Sequence, residues 1–381
     1  MQYASLGELG VMVLDCEHRT PSPAPAGHPY VAIPDIQQGR VVLETTRRIT
    51  DEDLLDWTRR TKPRAGDILV TRRGRVGDTA PIPTDDCAIG QNLVILRSDG
   101  TVIDQSFLRW ATRGPAWQSE VDRLINVGAV FSSLNVGDIG KMRIPVLPLP
   151  EQQAIAEVLG ALDDKIAANR ALVATADALA RAFTNECLAD STTTQLCDLA
   201  TITMGSSPKG TSYNESGEGV VLYQGMKDFG IRSPLPRVWT TEPGRLAHAG
   251  DILMSVRAPV GTLNRATEEC CIGRGLASLT AHQPNALFHL LLGQQTLLAP
   301  FNGDGTIFGS INKRQLHALP VRIPSAGLTE LEAKTAPLEA QVASALSESA
   351  TLAALRDTLL PALMDGTLRV KDAERTVSEA L

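Results

Sequence analysis

Ile144-Pro-Val-Leu-Pro-Leu-Pro-Glu-Gln-Gln-Ala-Ile-Ala-Glu-Val-Leu-Gly-Ala-Leu-Asp-Asp-Lys-Ile166 is a seam between two kinds of chain. Upstream, apolar runs are short and broken by Gly, Pro and Asp, as in Val41 to Leu43, Ile68 to Thr71 and Leu93 to Leu96, which reads as β-strand separated by turns. Downstream of Pro148-Leu-Pro150 the apolar residues switch to spacings of three and four: Ile155, Leu159, Leu162, Ile166, Asn169, Val173, Ala176, Ala180, Phe183 and Cys187. That period predicts a long heptad helix over 151–190, with the prolines placed where a missing N–H does no damage.

Farther along, the same succession repeats. Leu6-Gly-Glu-Leu-Gly10 echoes Leu196-Cys-Asp-Leu-Ala200, and Ala65-Gly-Asp-Ile-Leu-Val-Thr71 echoes Ala249-Gly-Asp-Ile-Leu-Met-Ser255. Ile89-Gly90 matches Ile272-Gly273, Phe131-Ser-Ser-Leu-Asn135 matches Phe308-Gly-Ser-Ile-Asn312, and Ile144-Pro-Val-Leu-Pro148 matches Leu319-Pro-Val-Arg-Ile-Pro324. The copies are too far apart for a solenoid and read as a duplicated domain with loop insertions. A second heptad pattern then follows in Leu328, Leu331, Thr335, Leu338, Val342, Ala345, Leu352, Leu355 and Leu359, where Pro337 predicts a kink or the true helix start.

The reading is an α+β chain of five parts: a strand-rich domain at 1–150, a long helix at 151–190, a second strand-rich domain at 191–326, a second long helix at 327–370 and a tail at 371–381. Each helix carries an apolar stripe that needs a partner, so the two are expected to pair antiparallel with the domains at opposite ends. Their expected contacts are Ile155, Leu159, Leu162, Ile166, Asn169, Val173 and Phe183 with Leu338, Val342, Leu352, Leu355 and Leu359. Asn169 either fixes the register of that seam or lies at its wet edge.

At 381 residues the chain exceeds one ordinary core, and with 43% hydrophobic and 21% charged residues it reads as globular. No apolar stretch approaches the roughly 18 residues of a spanning helix, and the first ten residues carry no secretory pattern. The six cysteines are too scattered for a disulfide framework, so a reducing cytoplasm is expected. Cys270-Cys271 lacks the nearby ligands of a tetrahedral metal site and reads as buried thiols, so neither metal nor cofactor is expected. The formal charge of −7 argues at first against nucleic acid, but it is unevenly spread: −1 over 1–150, −4 over 151–190, +2 over 191–326 and −4 over 327–381. The excess of acid over base lies in the helical segments.

Ile144 to Gln153 leading into Ile155-Ala-Glu-Val-Leu159 and Leu162-Asp-Asp-Lys-Ile166, then Leu355-Arg-Asp-Thr-Leu-Leu-Pro361 and Leu363-Met-Asp-Gly366, resemble the specificity subunit of type I restriction–modification systems. Asp15-Cys-Glu-His-Arg-Thr-Pro21 and Gly205-Ser-Ser-Pro208 resemble the openings of that family's target-recognition domains, and the likeness extends over almost the whole chain. In one respect the chain departs: after Pro324 the second helix lacks the Glu-Gln-Gln element. The resemblance implies a non-catalytic subunit that reads a bipartite, asymmetric duplex DNA target, one half-site per domain. It also implies two adenine methyltransferase partners, which would use S-adenosylmethionine, with or without nuclease-translocase subunits. No phosphate loop, dinucleotide fingerprint or base-flipping methyltransferase motif is present, so no catalytic residue is assigned. Asp163-Asp-Lys165 and Glu332-Ala-Lys334 have a nuclease-like spacing but fall inside the heptad helices, where a solvated helix face is the expectation.

For DNA contact the strongest local signal is Arg59, Arg60, Lys62, Arg64, Arg72, Arg73 and Arg75, against the single acid Asp67. Both a clamp on phosphates and base edges, and a solvated loop that balances Asp51 to Asp56, fit these residues. The second domain offers a sparser set in Arg257, Arg265, Arg274, Lys313 and Arg314, with Lys209 and Lys227 as further candidates, and His18 reads as a DNA contact or a turn cap. The four tryptophans are too scattered for a stacking platform and read as core or interface residues. The competing reading is a two-module protein-interaction adaptor that binds no DNA, favoured by the net negative charge.

Overall fold

A computed structural model describes residues 2–127, 132–303 and 309–380; Phe131 and Phe308 of the repeated blocks lie outside them. Two compact units divide the chain, Met1–Ala167 with Ser349–Leu381, and Ala168–Glu348. Each holds one strand-rich domain and a stretch of both long helices, Leu149–Cys187 and Thr329–Met364.

The two domains share one strand order. In the first, Val11–Asp15, Leu93–Ser98, Ile68–Thr71 and Thr79–Pro81 lie side by side, all antiparallel. In the second the order is Thr201–Met204, Leu276–Thr280, Ile252–Ser255 and Leu263–Arg265, again antiparallel. Beside these lies a smaller sheet with one parallel pairing, His28–Val31 with Ala88–Ile89 in the first domain and Val220–Tyr223 with Cys270–Ile272 in the second. The chain ends of each domain close on themselves, Gln2–Ser5 pairing Arg143–Val146 and Ser191–Gln195 pairing Pro320–Pro324.

The recurring Ala-Gly-Asp-Ile-Leu block has a local cause. Gly66 and Gly250 sit at φ +87° and +91°, where a side chain is strained, and turn the chain into a buried strand. Asp67 and Asp251 then close the turn by accepting the N–H of Arg64 at 2.8 Å and of His248 at 2.9 Å. Both carboxylates are buried and satisfied, Asp67 by Arg97 and Asp251 by the Ser278 hydroxyl.

In the first unit the heptad residues Ile155, Leu159, Leu162, Ile166, Leu352 and Leu359 join the domain's own core around Phe107, Leu108, Trp110 and Trp117, with Leu355 packed against it. Each fully buried aliphatic side chain stabilises the unit by about 1.5–3 kcal/mol. In the second unit Val173 and Ala176 meet Val342 and Ala345, with Leu338 at the edge, and Phe183 packs against Leu328 and Leu331. Asn169 is buried and donates to Ala345 O at 3.3 Å and Glu348 Oε2 at 2.7 Å, while Lys334 meets Glu186 at 3.2 Å. Rising numbers on one helix meet falling numbers on the other, so the pair is antiparallel within this unit. The second helix starts at Thr329 and runs through Pro337, not from it; the intrahelical bond that Pro337 cannot donate is outweighed by the flanking apolar packing. Among the described residues no helix is long and apolar enough to cross a membrane.

Two further expectations need correcting. Asp163 is not on a solvated face: it is 15% exposed and faces Arg109, Arg113 and Arg356, which hold it against the first domain. Glu332 likewise accepts Asn285 Nδ2 at 2.6 Å and the Ala286 N–H at 2.7 Å, at the start of the helix Pro284–Gly293. Gln152 of the Glu-Gln-Gln element plays a similar part in the first unit, accepting the Asp104 N–H at 2.8 Å and donating to Val102 O and Leu147 O. The element missing from the second helix is thus replaced by a carboxylate. Gln152→Ala strands one donor and two acceptors around a side chain only 1% exposed, and should lower stability by about 1–3 kcal/mol in a denaturant titration.

Candidate nucleic-acid interface

The arginine segment leaves the strand Ile68–Thr71 in a closed loop. Thr71 Oγ1 donates to Arg75 O, and the Gly77 N–H returns to Thr71 O at 2.9 Å. The second domain builds the same loop, Ser255 Oγ donating to Pro259 O at 2.6 Å and Gly261 N–H to Ser255 O at 2.9 Å. The match places Arg72 opposite Val256, Arg73 opposite Arg257 and Arg75 opposite Pro259.

These arginines are not equivalent. Arg72 is largely enclosed: its Nε donates to Leu134 O at 3.1 Å and its Nη1 lies 3.9 Å from Asp15. Arg75 is half-exposed, pairs with Asp78 at 2.8 Å and donates to the Ile33 and Ile36 carbonyls, so it anchors the loop. Arg73 and Arg257 are exposed, their backbones bridged to Ser133 and Ser310, and among the described residues their guanidinium groups have no partner. One free arginine stands at the same place in each domain.

Of the preceding cations, Arg59 pairs with Asp56 at 3.3 Å and Arg60 with Asp15 at 3.4 Å, while Lys62 and Arg64 are exposed with free side chains among the described residues. The loop is therefore partly self-balanced. In the second domain Lys227, Arg274, Lys313 and Arg314 are exposed, and Lys209 lies 3.7 Å from Glu242. Arg265 must be withdrawn from the exposed set. It is mostly buried beside Phe288 and lies 3.4 Å from Glu339, a carboxylate on the helix Thr329–Met364, because the strand Leu263–Arg265 turns its last side chain inward. Burial pushes its guanidinium below the ordinary range.

His18 pairs with Asp15 at 3.0 Å. With Cys16 these two bring their donor atoms within 4.8 Å of one another, but the set does not suit a cation. Arg60 and Arg72 already face Asp15, and burial together with the Asp15 charge pushes the Cys16 thiol up, keeping it protonated. Cys270 and Cys271 are fully buried and Cys270 is pushed up to about 12, chiefly by burial, which makes them packing residues. Trp57, Trp110 and Trp117 are buried, as core residues are.

Residues 23–175 match the family model of the type I restriction modification DNA specificity domain. A type I restriction enzyme MjaX specificity subunit of Methanocaldococcus jannaschii is 29% identical over 310 residues, covering 74% of this chain and 72% of its own. The crystal structure of the type I restriction–modification S subunit from M. genitalium superposes with a TM-score of 0.64 over 95% of this chain and 96% of its own, at 16% identity, a likeness of fold. Residues 23–175 thus carry the type I restriction modification DNA specificity domain, and the chain as a whole is similar to type I specificity subunits. Specificity subunits are non-catalytic and serve DNA recognition and assembly with other subunits. The exposed arginines without a partner among the described residues, and not the buried carboxylates of the helices, are the charged groups left free to meet a polyanion.

Proposed function

We propose that this chain acts as a type I specificity subunit that reads an asymmetric two-part duplex target, one half-site per strand-rich domain, and brings two adenine methyltransferase subunits to it. The observation that carries this is the pair of matching loops: closed by the same hydroxyl-to-carbonyl and backbone bonds, each presenting one arginine free among the described residues, Arg73 or Arg257, and differing at the positions around it. A shared scaffold with different exposed side chains suits two different half-sites. S-adenosylmethionine would belong to the methyltransferase, and nuclease-translocase subunits would join only where the system also restricts. The acidic stretches of both helices suit basic partner surfaces and keep DNA on the domains.

Arg73 and Arg257 are assigned to phosphates, which position the domain without reading sequence. In the complex with its methyltransferase, Arg73→Ala and Arg257→Ala should each weaken duplex binding by roughly tenfold and reduce the slope of log affinity against log salt by about 1. A gel-shift series in increasing salt checks this. If the wild-type complex shifts no duplex, the protein-interaction adaptor takes its place.

A further inference from the structure

Beside each free arginine lies a second matching turn, Gly90-Gln-Asn-Leu93 in the first domain and Gly273-Arg-Gly-Leu276 in the second. The turns correspond bond for bond. Gly90 N–H donates to Val31 O at 2.7 Å and Gly273 N–H to Tyr223 O at 2.8 Å; Leu93 N–H returns to Gly90 O at 3.2 Å and Leu276 N–H to Gly273 O at 3.0 Å. Each is tied to the arginine loop, because Arg72 N–H donates to Asn92 O at 2.8 Å and Val256 N–H to Gly275 O at 2.9 Å. Arg73 and Arg257 are the next residues along.

Three of the four positions in each turn are committed to the scaffold. A Cβ on Gly90 would lie 2.9 Å from Val31 O, and one on Gly275 would lie 2.3 Å from Gln224 O. Asn92 stands at φ +71°, and Leu93 and Leu276 are fully buried. The remaining positions, Gln91 and Arg274, are exposed, and among the described residues their side chains have no protein partner. Beside Gln91 opens a cleft of about 350 Å³ with Thr20, Tyr30, Arg47 and Asn92 among its walls.

Resting on the reading of DNA recognition above, we propose that Gln91 and Arg274 are the corresponding base-reading positions of the two domains, Gln91 selecting adenine and Arg274 selecting guanine. A carboxamide offers one acceptor and a donor, the complement of adenine N6–H and N7, whereas a guanidinium offers two donors, the complement of guanine O6 and N7. An adjacent arginine on phosphate would fix the depth at which each side chain meets the groove.

The test uses the full chain copurified with its methyltransferase and a randomised duplex DNA library, from which bound sequences are read. Gln91→Arg should change one adenine of the first half-site to guanine, and Arg274→Gln one guanine of the second to adenine. Each should switch preference by roughly five- to 150-fold, the discrimination of one bidentate pair, with the other half-site unaltered. Gln91→Ala should relax that one position. Circular dichroism melts should match the wild type, since both side chains are exposed. Variants that keep every wild-type preference, or an Arg274→Gln protein that binds all sequences equally less well, overturn the assignment. A wild-type complex that selects no sequence overturns the underlying reading as well, a different result from selection that ignores these two positions.

Discussion

Glu339→Ala should cost the second unit about 3–5 kcal/mol, the usual penalty for leaving buried charges without their partner. The carboxylate is 7% exposed, yet it lies 2.9 Å from Arg232, 3.4 Å from Arg265 and 2.8 Å from His289 Nε2. Arg232 also pairs with Asp177 on the first long helix, so one buried cluster ties a loop, a strand and the helix Pro284–Gly293 to both long helices within this unit. Removing the acid leaves two enclosed guanidinium groups, both close to Phe288, facing each other. For a unit of this size the loss corresponds to a fall in midpoint temperature of roughly 10 °C. Calorimetry, with hydrogen exchange to locate the weakened segment, measures it; a loss below about 1 kcal/mol would sink the claim. Glu330→Ala, which removes an exposed partner of Lys334 on the same helix, should leave the midpoint unchanged.

The same cluster gives a pH dependence of definite sign. Burial by itself raises the Glu339 pKa, but the His289 hydrogen bond and the Arg232 and Arg265 charges outweigh it and hold the carboxyl at about 2, against an ordinary 4.5. A depressed carboxylate contributes stability that is fully present above 4.5 and is lost as pH falls through 2. The wild type should therefore weaken across that window, and Glu339→Gln should be weaker at neutral pH with a shallower acid slope.

Asp163→Ala should be of similar size in the first unit, about 3–5 kcal/mol. There one carboxylate on the first long helix serves three arginines: Arg109 by hydrogen bond, Arg356 at 2.6 Å and Arg113 at 3.6 Å. Arg109 and Arg113 flank the buried Trp110 ring at 4.7 and 5.1 Å, and burial pushes both guanidinium groups below their ordinary range. Without Asp163 the repulsion among three enclosed cations is opposed only at longer range by Asp164, near Arg109, and by the exposed Asp357 beside Arg356. A double-mutant cycle separates this from simple loss of packing. Arg356→Ala added to Asp163→Ala should recover part of the loss, a coupling of about 0.5–3 kcal/mol, whereas strict additivity would show that the charges act independently.

Much of the fold was legible because the relevant signals are local. The change from interrupted apolar runs to a three-four spacing at Pro148-Leu-Pro150 marks the first long helix, which begins at Leu149. The repeated Ala-Gly-Asp-Ile-Leu block marks the same turn and strand in both domains, since a left-handed glycine and a turn-closing aspartate are demanded by the backbone itself. The interface was less legible. Seven cations in 59–75 look alike in sequence, but Arg72 and Arg75 are taken up by carbonyls of Leu134, Ile33 and Ile36, contacts between residues far apart in the chain.

By itself, then, the sequence determined the duplication, the strand-rich domains and the helix periods, because propensity, turn chemistry and apolar spacing act over a few residues. Only the tertiary structure decided which charges are free. Arg265 and Asp163 read as surface groups in one dimension, yet each is enclosed by partners from distant segments. Arg73, Arg257, Gln91 and Arg274 stand exposed with no such partner among the described residues, and a side chain's availability to a ligand depends on that difference in burial and pairing.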